Sequence, residues 1–211
     1  MSTLLELTAI RGMALASRPY RWALLAQTFT DPSSVRTLQE SFPRDGFTAI
    51  QSAGLVKPYL LHGRALLGGG LPPLWGRLYE ELTAPSYREA LADCTGLRLD
   101  TLDVEFTLWR QPPGSFLGPH TDKPDKVLSH IIYFSDVRWP PSAGGCVRVL
   151  GSANLEDVVM QAPPHAGTSF VLVRSGNSWH GYDVVREGFG DRCSLQITFH
   201  HPTLRYSSAL A

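Results

Sequence analysis

The sequence predicts a mainly β protein with helices gathered towards its N-terminus (α+β), its strands closing as a sandwich or jelly-roll barrel. Three observations predict this. Up to about residue 96 the chain is helix-rich, with glycine and proline punctuation. From residue 97 the texture changes to short alternating runs separated by Pro-, Gly- and Ser-rich turns, a spacing that suits a sandwich or barrel. The chain of 211 residues is long enough for one domain with a sizeable core, and it shows no repeat or linker. The expected organisation is one domain over 1–211, with a helix-rich support (1–96) and the barrel core (97–201).

In order, residues up to about 43 read as helical, with Trp22, Leu24, Leu25 and Phe29 as an apolar face. The run Asp31-Pro32-Ser33-Ser34 ends one helix and starts the next, with Ser33 or Ser34 as N-cap. Residues 47–61 turn to short extended runs broken by Gly54 and Pro58. Gly68-Gly69-Gly70 and Pro72-Pro73 form a loop, and no Gly-Lys-Ser/Thr follows to make it a phosphate cradle. Helices are expected over 74–84 and 86–94, the second closed by Gly96. Strands are expected over 102–111, 127–134, 145–150, 157–161, 168–174, 179–185 and 192–200. In the first of these, Leu102, Val104, Phe106 and Leu108 share one face. Asp103, Glu105, Thr107, Trp109 and Gln111 share the other.

Composition narrows the function. Nineteen basic and nineteen acidic side chains balance, so charge nominates neither nucleic acid nor an anionic membrane as partner. Cys94, Cys146 and Cys193 are odd in number and widely spaced, against a disulfide scaffold and in keeping with a reducing cytoplasm. Glu6 and Arg11 interrupt the N-terminal apolar residues, which therefore lack a signal-peptide core, and no apolar run is long enough to span a bilayer. A cytoplasmic enzyme is the expectation. The oligomeric state is not readable.

His120-Thr121-Asp122, taken with His180, has the form of a 2-His-1-carboxylate facial triad, which holds one face of a ferrous ion and leaves the other open. In a strand or its extension, His120 and Asp122 point to the same side. The last strand adds a second signal, because Arg192, Ser194, Gln196 and Thr198 share a face in a run that otherwise reads as core. A buried guanidinium needs a partner. A bound dicarboxylate would supply one, and so would Asp191 or Glu187 if that face were exposed.

The segments 108–122, 130–136, 143–150, 167–184 and 191–195 together resemble the iron(II)/2-oxoglutarate-dependent oxygenases, specifically their prolyl-hydroxylase-like branch. The resemblance implies a double-stranded β-helix (jelly-roll, cupin-like) fold. It implies Fe(II) on His120, Asp122 and His180, with 2-oxoglutarate and O2 as co-substrates. Arg192 would bind the distal carboxylate of 2-oxoglutarate, with Ser194 and Tyr133 beside it. Where this branch commonly has a tyrosine, the chain has Gln111, whose amide can still donate. Asp122 stands where related halogenases have Gly or Ala, so hydroxylation is expected over halogenation.

The expected substrate is a small molecule, such as an amino acid or amino-acid-derived metabolite. A peptidyl hydroxylase and a non-catalytic jelly-roll binding protein are the alternatives. A nucleic-acid demethylase is disfavoured by neutral charge and by His200 where a second Arg is expected. Glu105, inward with Trp109, would meet a substrate ammonium or else pair with an interior Arg or Lys. Trp179, beside His180, walls the iron pocket or packs. Arg138-Trp139 reads as surface loop or substrate lid, and Arg148 and Arg174 as carboxylate contacts or solvent-facing residues. His62, His130 and His165 read as structural or surface histidines.

Overall fold

The computed structural model describes residues 3–54 and 57–202. Four helices, α1 (Leu7–Arg11), α2 (Pro32–Glu40), α3 (Pro73–Thr83) and α4 (Pro85–Thr95), accompany eleven strands. The strands are β1 (Trp22–Leu25), β2 (Thr48–Ser52), β3 (Tyr59–Ala65), β4 (Asp103–Gln111), β5 (Phe116–His120), β6 (Lys126–Tyr133), β7 (Val147–Leu150), β8 (Val158–Ala162), β9 (Ser169–Val173), β10 (His180–Tyr182) and β11 (Arg192–His200). They pair antiparallel in the order β1-β9-β6-β11-β4-β3-β5-β10-β7-β8, with β2 added on β3. Side chains of β4, β6 and β11 and of β5, β7 and β10 line one cavity, so the sheet curls into a near-closed jelly-roll barrel.

The N-terminal expectation needs correction. Trp22–Leu25 is a strand, in register with Ser169–Leu172 of β9, and Trp22 stacks on Phe170 with ring centroids 6.4 Å apart. Four residues with good helix propensity are claimed by an open sheet edge, because pairing outweighs a few tenths of a kcal/mol of local preference. Asp31, not Ser33 or Ser34, caps α2, its carboxylate accepting from Ser33 N at 2.9 Å. The strand β5 was not anticipated, because Gly118 and Pro119 mask its alternation. Helix α4 does end at Gly96, which takes the left-handed conformation at φ 65°.

Alternation sorts the central strands into two faces. On β11, Leu195, Ile197 and Phe199 pack outward in one buried cluster with Leu108, Leu128 and Ile132. Trp75 and Leu78 of α3 and Tyr87 and Leu91 of α4 close over them. The opposite face is polar and its register is continuous: Arg192 opposes Gln111, and Ser194 lies between Trp109 and Tyr133. Gln196 lies between Thr107 and Ile131, and Thr198 between Glu105 and Ser129. The apolar side of one sheet thus carries the helices and leaves its polar side to the barrel interior.

His130 is fully buried on the outer face of β6, 2.7 Å from the Tyr87 hydroxyl. Burial pushes its pKa down to about 3, below the ordinary unfolded value near 6.5. Between those values the unfolded chain binds a proton that the native state excludes, so stability falls as pH falls through that window. The double variant Tyr87→Phe/His130→Leu should lower the pH dependence of unfolding free energy there by about 1.4 kcal/mol per pH unit, read from urea titrations at pH 4, 5 and 6.

Candidate active site

His120 ends β5 and His180 begins β10, and the two are register partners across that strand pair, with ring centroids 4.2 Å apart. Asp122 follows β5 by two residues. One ligand atom from each of the three lies within 4.8 Å of the others, and all three side chains are buried. His120 Nδ1 is 3.1 Å from the Gly118 carbonyl and His180 Nδ1 is 2.9 Å from the Ser178 carbonyl. A carbonyl only accepts, so each Nδ1 carries the proton and each Nε2 keeps its lone pair for a ligand, a tautomer fixed from behind.

The protonation states suit a divalent cation. Burial lowers the pKa of both imidazoles, and for His120 the neighbouring His180 and Lys57 add to it. Burial opposes ionisation of Asp122, but the charge and the hydrogen bond of Lys126 work against it and hold the carboxyl below its usual range. The Lys126 ammonium donates to Asp122 Oδ1 at 2.9 Å. Two neutral imidazoles and one carboxylate, buried and convergent, are the donor set of a facial-triad iron site.

The two histidine strands meet with no spare room at Gly181. A Cβ there would lie 2.6 Å from the Leu117 carbonyl and 2.9 Å from that of Gly118. Gly181→Ala should therefore push β10 off β5 and separate His180 from His120. Fe(II) affinity should fall at least about tenfold, the scale of losses from disturbing a ligand's support, measured by competition with a ferrous chelator.

Arg192 is 4% exposed. Its Nε donates to the Gly145 carbonyl at 2.6 Å and its Nη1 to Ser194 Oγ at 3.5 Å. The guanidinium sits 4.6 Å from the ring centroid of Tyr182 and 5.3 Å from that of Tyr133. Asp191, its neighbour in sequence, is held by Arg110 at 2.6 Å and does not neutralise it. The Tyr133 and Tyr182 hydroxyls are buried without a hydrogen-bond partner, and burial pushes each to about 12 despite the nearby cation. A guanidinium flanked by two unused hydroxyl donors fits a carboxylate. Gln111 completes this end, its Oε1 accepting from His62 N at 2.9 Å, which leaves the amide nitrogen as the donor for a ligand.

The structure gathers most of the expected site residues in one cavity of about 240 Å³. Gln111, Arg192 and Ser194 line it with His120, Asp122 and His180, and so do Glu105 and Trp109. Tyr133 lies beneath Arg192, fully buried. Trp109 Nε1 donates to Gln196 Oε1 at 2.8 Å. Glu105 faces His200 at 3.4 Å, a histidine where an Arg or Lys was the expected alternative partner. Trp179 is not among the lining residues; its carbonyl accepts from Leu150 N and from the Tyr20 hydroxyl, both at 3.0 Å. Trp139 is no lid, being buried with Nε1 on the Gly144 carbonyl at 2.8 Å. Arg148 is bound by Asp183 at 2.9 Å.

Among the polar lining residues that the sequence reading did not place in the cavity are Tyr182, Lys126, Asp125, His200 and Lys57. Tyr182 and His200 share strand parity with His180 and Arg192, so alternation alone would have found them. Asp125 reaches the cavity from the turn before β6, and Lys126 from the first residue of that strand, beyond a register shift that breaks its alternation.

Residues 106–200 match the family profile described as the 2OG-Fe(II) oxygenase superfamily. The matched segment, from within β4 to the end of β11, is a 2OG-Fe(II) oxygenase domain. Fe(II), 2-oxoglutarate and O2 are what this oxygenase family uses. Its fold is similar to that of a Pseudomonas putida prolyl-4-hydroxylase (22% identity, TM-score 0.63, covering 85% of this chain and 92% of that one). It is also similar to EvdO2 from Micromonospora carbonacea, a structure complexed with 2-oxoglutarate (14%, TM-score 0.55, 93% and 90%). A third structure of similar fold is SnoN, a non-heme alpha ketoglutarate dependent epimerase from nogalamycin biosynthesis (14%, TM-score 0.54, 85% and 78%). No curated protein sequence matches the chain. No helix among the described residues is long and apolar enough to cross a membrane.

Proposed function

We propose that this oxygenase hydroxylates an unactivated C–H bond of a small molecule, an amino acid or an amino-acid-derived metabolite, with release of succinate and CO2. The observation that carries the reading is convergence: His120, Asp122 and His180 from one side of the barrel and Arg192 from the other line the same buried cavity. In this reading His120 Nε2, Asp122 and His180 Nε2 hold Fe(II), and the Gly118 and Ser178 carbonyls orient the imidazoles. Arg192 binds the distal carboxylate of 2-oxoglutarate, with Tyr133, Tyr182, Ser194 and Gln111 as further donors around it. Bound iron, with 2-oxoglutarate and O2, supplies the oxidising chemistry. The protein's part is to fix the keto acid at the Arg192 end, keep Asp122 ionised, and limit water with the apolar lining residues Leu61, Leu117, Ile131 and Leu172.

The substrate then takes the side of the cavity lined by Thr107, Ser129, Gln196 and Thr198, a polar surface suited to a small hydrogen-bonding molecule. Three free cysteines support a reducing, cytoplasmic setting. We read 1–211 as one domain, with the helices of 1–96 packed as support on the outer face of the sheet. A Trichoplax adhaerens prolyl hydroxylase of similar fold, solved in complex with a peptide fragment, favours a peptide as the second substrate class. The test is succinate formation from 2-oxoglutarate under Fe(II) and O2, screened against amino acids and proline-containing peptides. Stimulation by an amino acid supports the proposal, and stimulation by peptides alone replaces it with the second reading. Absence of 2-oxoglutarate turnover under every condition would leave a jelly-roll that only binds.

A further inference from the structure

The cavity holds a second cluster of ionisable groups that the iron and keto-acid sites do not use. Along β11 the inward positions run Arg192, Ser194, Gln196, Thr198 and His200. At about 3.4 Å per residue the step from Arg192 to His200 spans up to ~27 Å, beyond the reach of a keto acid anchored on Arg192. At that far end His200, 7% exposed, stands between two carboxylates. Its Nε2 is 3.4 Å from Glu105 Oε2 and its Nδ1 is 3.4 Å from Asp125 Oδ2.

The cluster is built and unsatisfied. The 3.4 Å contacts of the two His200 ring nitrogens fall outside good hydrogen-bond geometry, and Asp125 Oδ1 has no partner, although all three atoms are buried and their residues line the cavity. Such atoms cost free energy unless a ligand completes them. The backbone fixes both partners. His201 N donates to the Asp125 carbonyl at 2.9 Å, and an irregular register between Phe199 and His200 re-aims the last residue of β11. Glu105 is steadied by the Thr107 hydroxyl at 3.2 Å. One imidazole shared by two carboxylates leaves an excess negative charge whichever its protonation state. The neighbouring Lys126 ammonium is bonded to Asp122, though its charge also reaches Glu105, and Lys57 and Lys123 line the same cavity.

We propose that Glu105, Asp125 and His200 form the subsite for a protonated amine on the substrate, which sets the C–H bond to be oxidised by its distance from that nitrogen. This rests on the oxygenase reading for the reaction, though not for the binding. An ammonium offers three donors, enough for both carboxylates and a hydroxyl such as that of Ser129 or Thr198, which lie in the row beside Glu105.

The test is calorimetry on anaerobic protein loaded with Fe(II) and 2-oxoglutarate. The probes are L-lysine, L-ornithine, L-arginine and glucosamine, each against its N-acetyl counterpart. At least one free amine should bind ten times or more tightly than its acetylated partner. Glu105→Gln and Asp125→Asn should each erase that preference at least tenfold while changing the acetylated partner less than twofold. The proposal is overturned if no amine is preferred, or if the preference survives both substitutions. The visible band of the ferrous keto-acid complex is read on the same wild-type sample. A band without amine preference overturns the subsite alone, and amine preference without a band retains the subsite and removes the oxygenase chemistry.

Discussion

His180→Ala is expected to abolish turnover, because it removes a buried Nε2 that the Ser178 carbonyl holds in place. Loss of an outer supporting contact at a metal site costs 10–100-fold in affinity. Loss of the ligand itself should exceed that, so Fe(II) affinity should fall more than about 100-fold. His120 and Asp122 would remain, but two ligands do not define one face of an octahedron. Asp122→Ala should have an effect of similar size with an added signature. The Lys126 ammonium, now bonded to Asp122 at 2.9 Å, would stay beside the metal position without its counter-charge. Chelator competition measures both variants. Retention of tight iron binding by either would remove that side chain from the proposed ligand set.

Arg192→Gln should leave iron binding within a fewfold of wild type and cripple binding of 2-oxoglutarate. Removing one partner of a buried, hydrogen-bonded charge pair costs about 2–5 kcal/mol. At 1.4 kcal/mol per factor of ten, that is roughly 30- to 4,000-fold in the dissociation constant. Part of the loss comes from the Tyr133 and Tyr182 hydroxyls, which would then face the carboxylate without the cation. Equilibrium titration with 2-oxoglutarate, monitored by calorimetry, reads it directly. An affinity within threefold of wild type would mean that the guanidinium is structural, tied to Gly145 and Ser194 and nothing else.

Strand periodicity made the barrel core legible in the sequence, because β4 and β11 alternate without interruption and each buries only one face in the apolar core. That same alternation placed Glu105, Trp109, Gln111, Arg192 and Ser194 on the cavity side. It failed where the strand is short or broken. Trp22–Leu25 is a four-residue edge strand whose composition suits a helix equally well, and only the partner strand β9 decides it. Phe116–His120 contains a glycine and a proline, and Gly118 is there because a Cβ would meet Pro58 at 2.7 Å. Of the two roles left open for Trp179, packing is the one that agrees with its absence from the cavity lining, and its place just before β10 gave no alternation by which to choose. Asp125 and Lys126 depend on where a turn carries the chain after β5, which is a tertiary fact.

The most direct test of the central claim is an anaerobic titration of metal-free protein with Fe(II) and then 2-oxoglutarate, followed by visible absorbance. The account predicts the weak charge-transfer band of a ferrous keto-acid complex in the wild type, its loss in His180→Ala, and its appearance only at much higher 2-oxoglutarate in Arg192→Gln. Iron bound by the wild type with no band at saturating 2-oxoglutarate would contradict it.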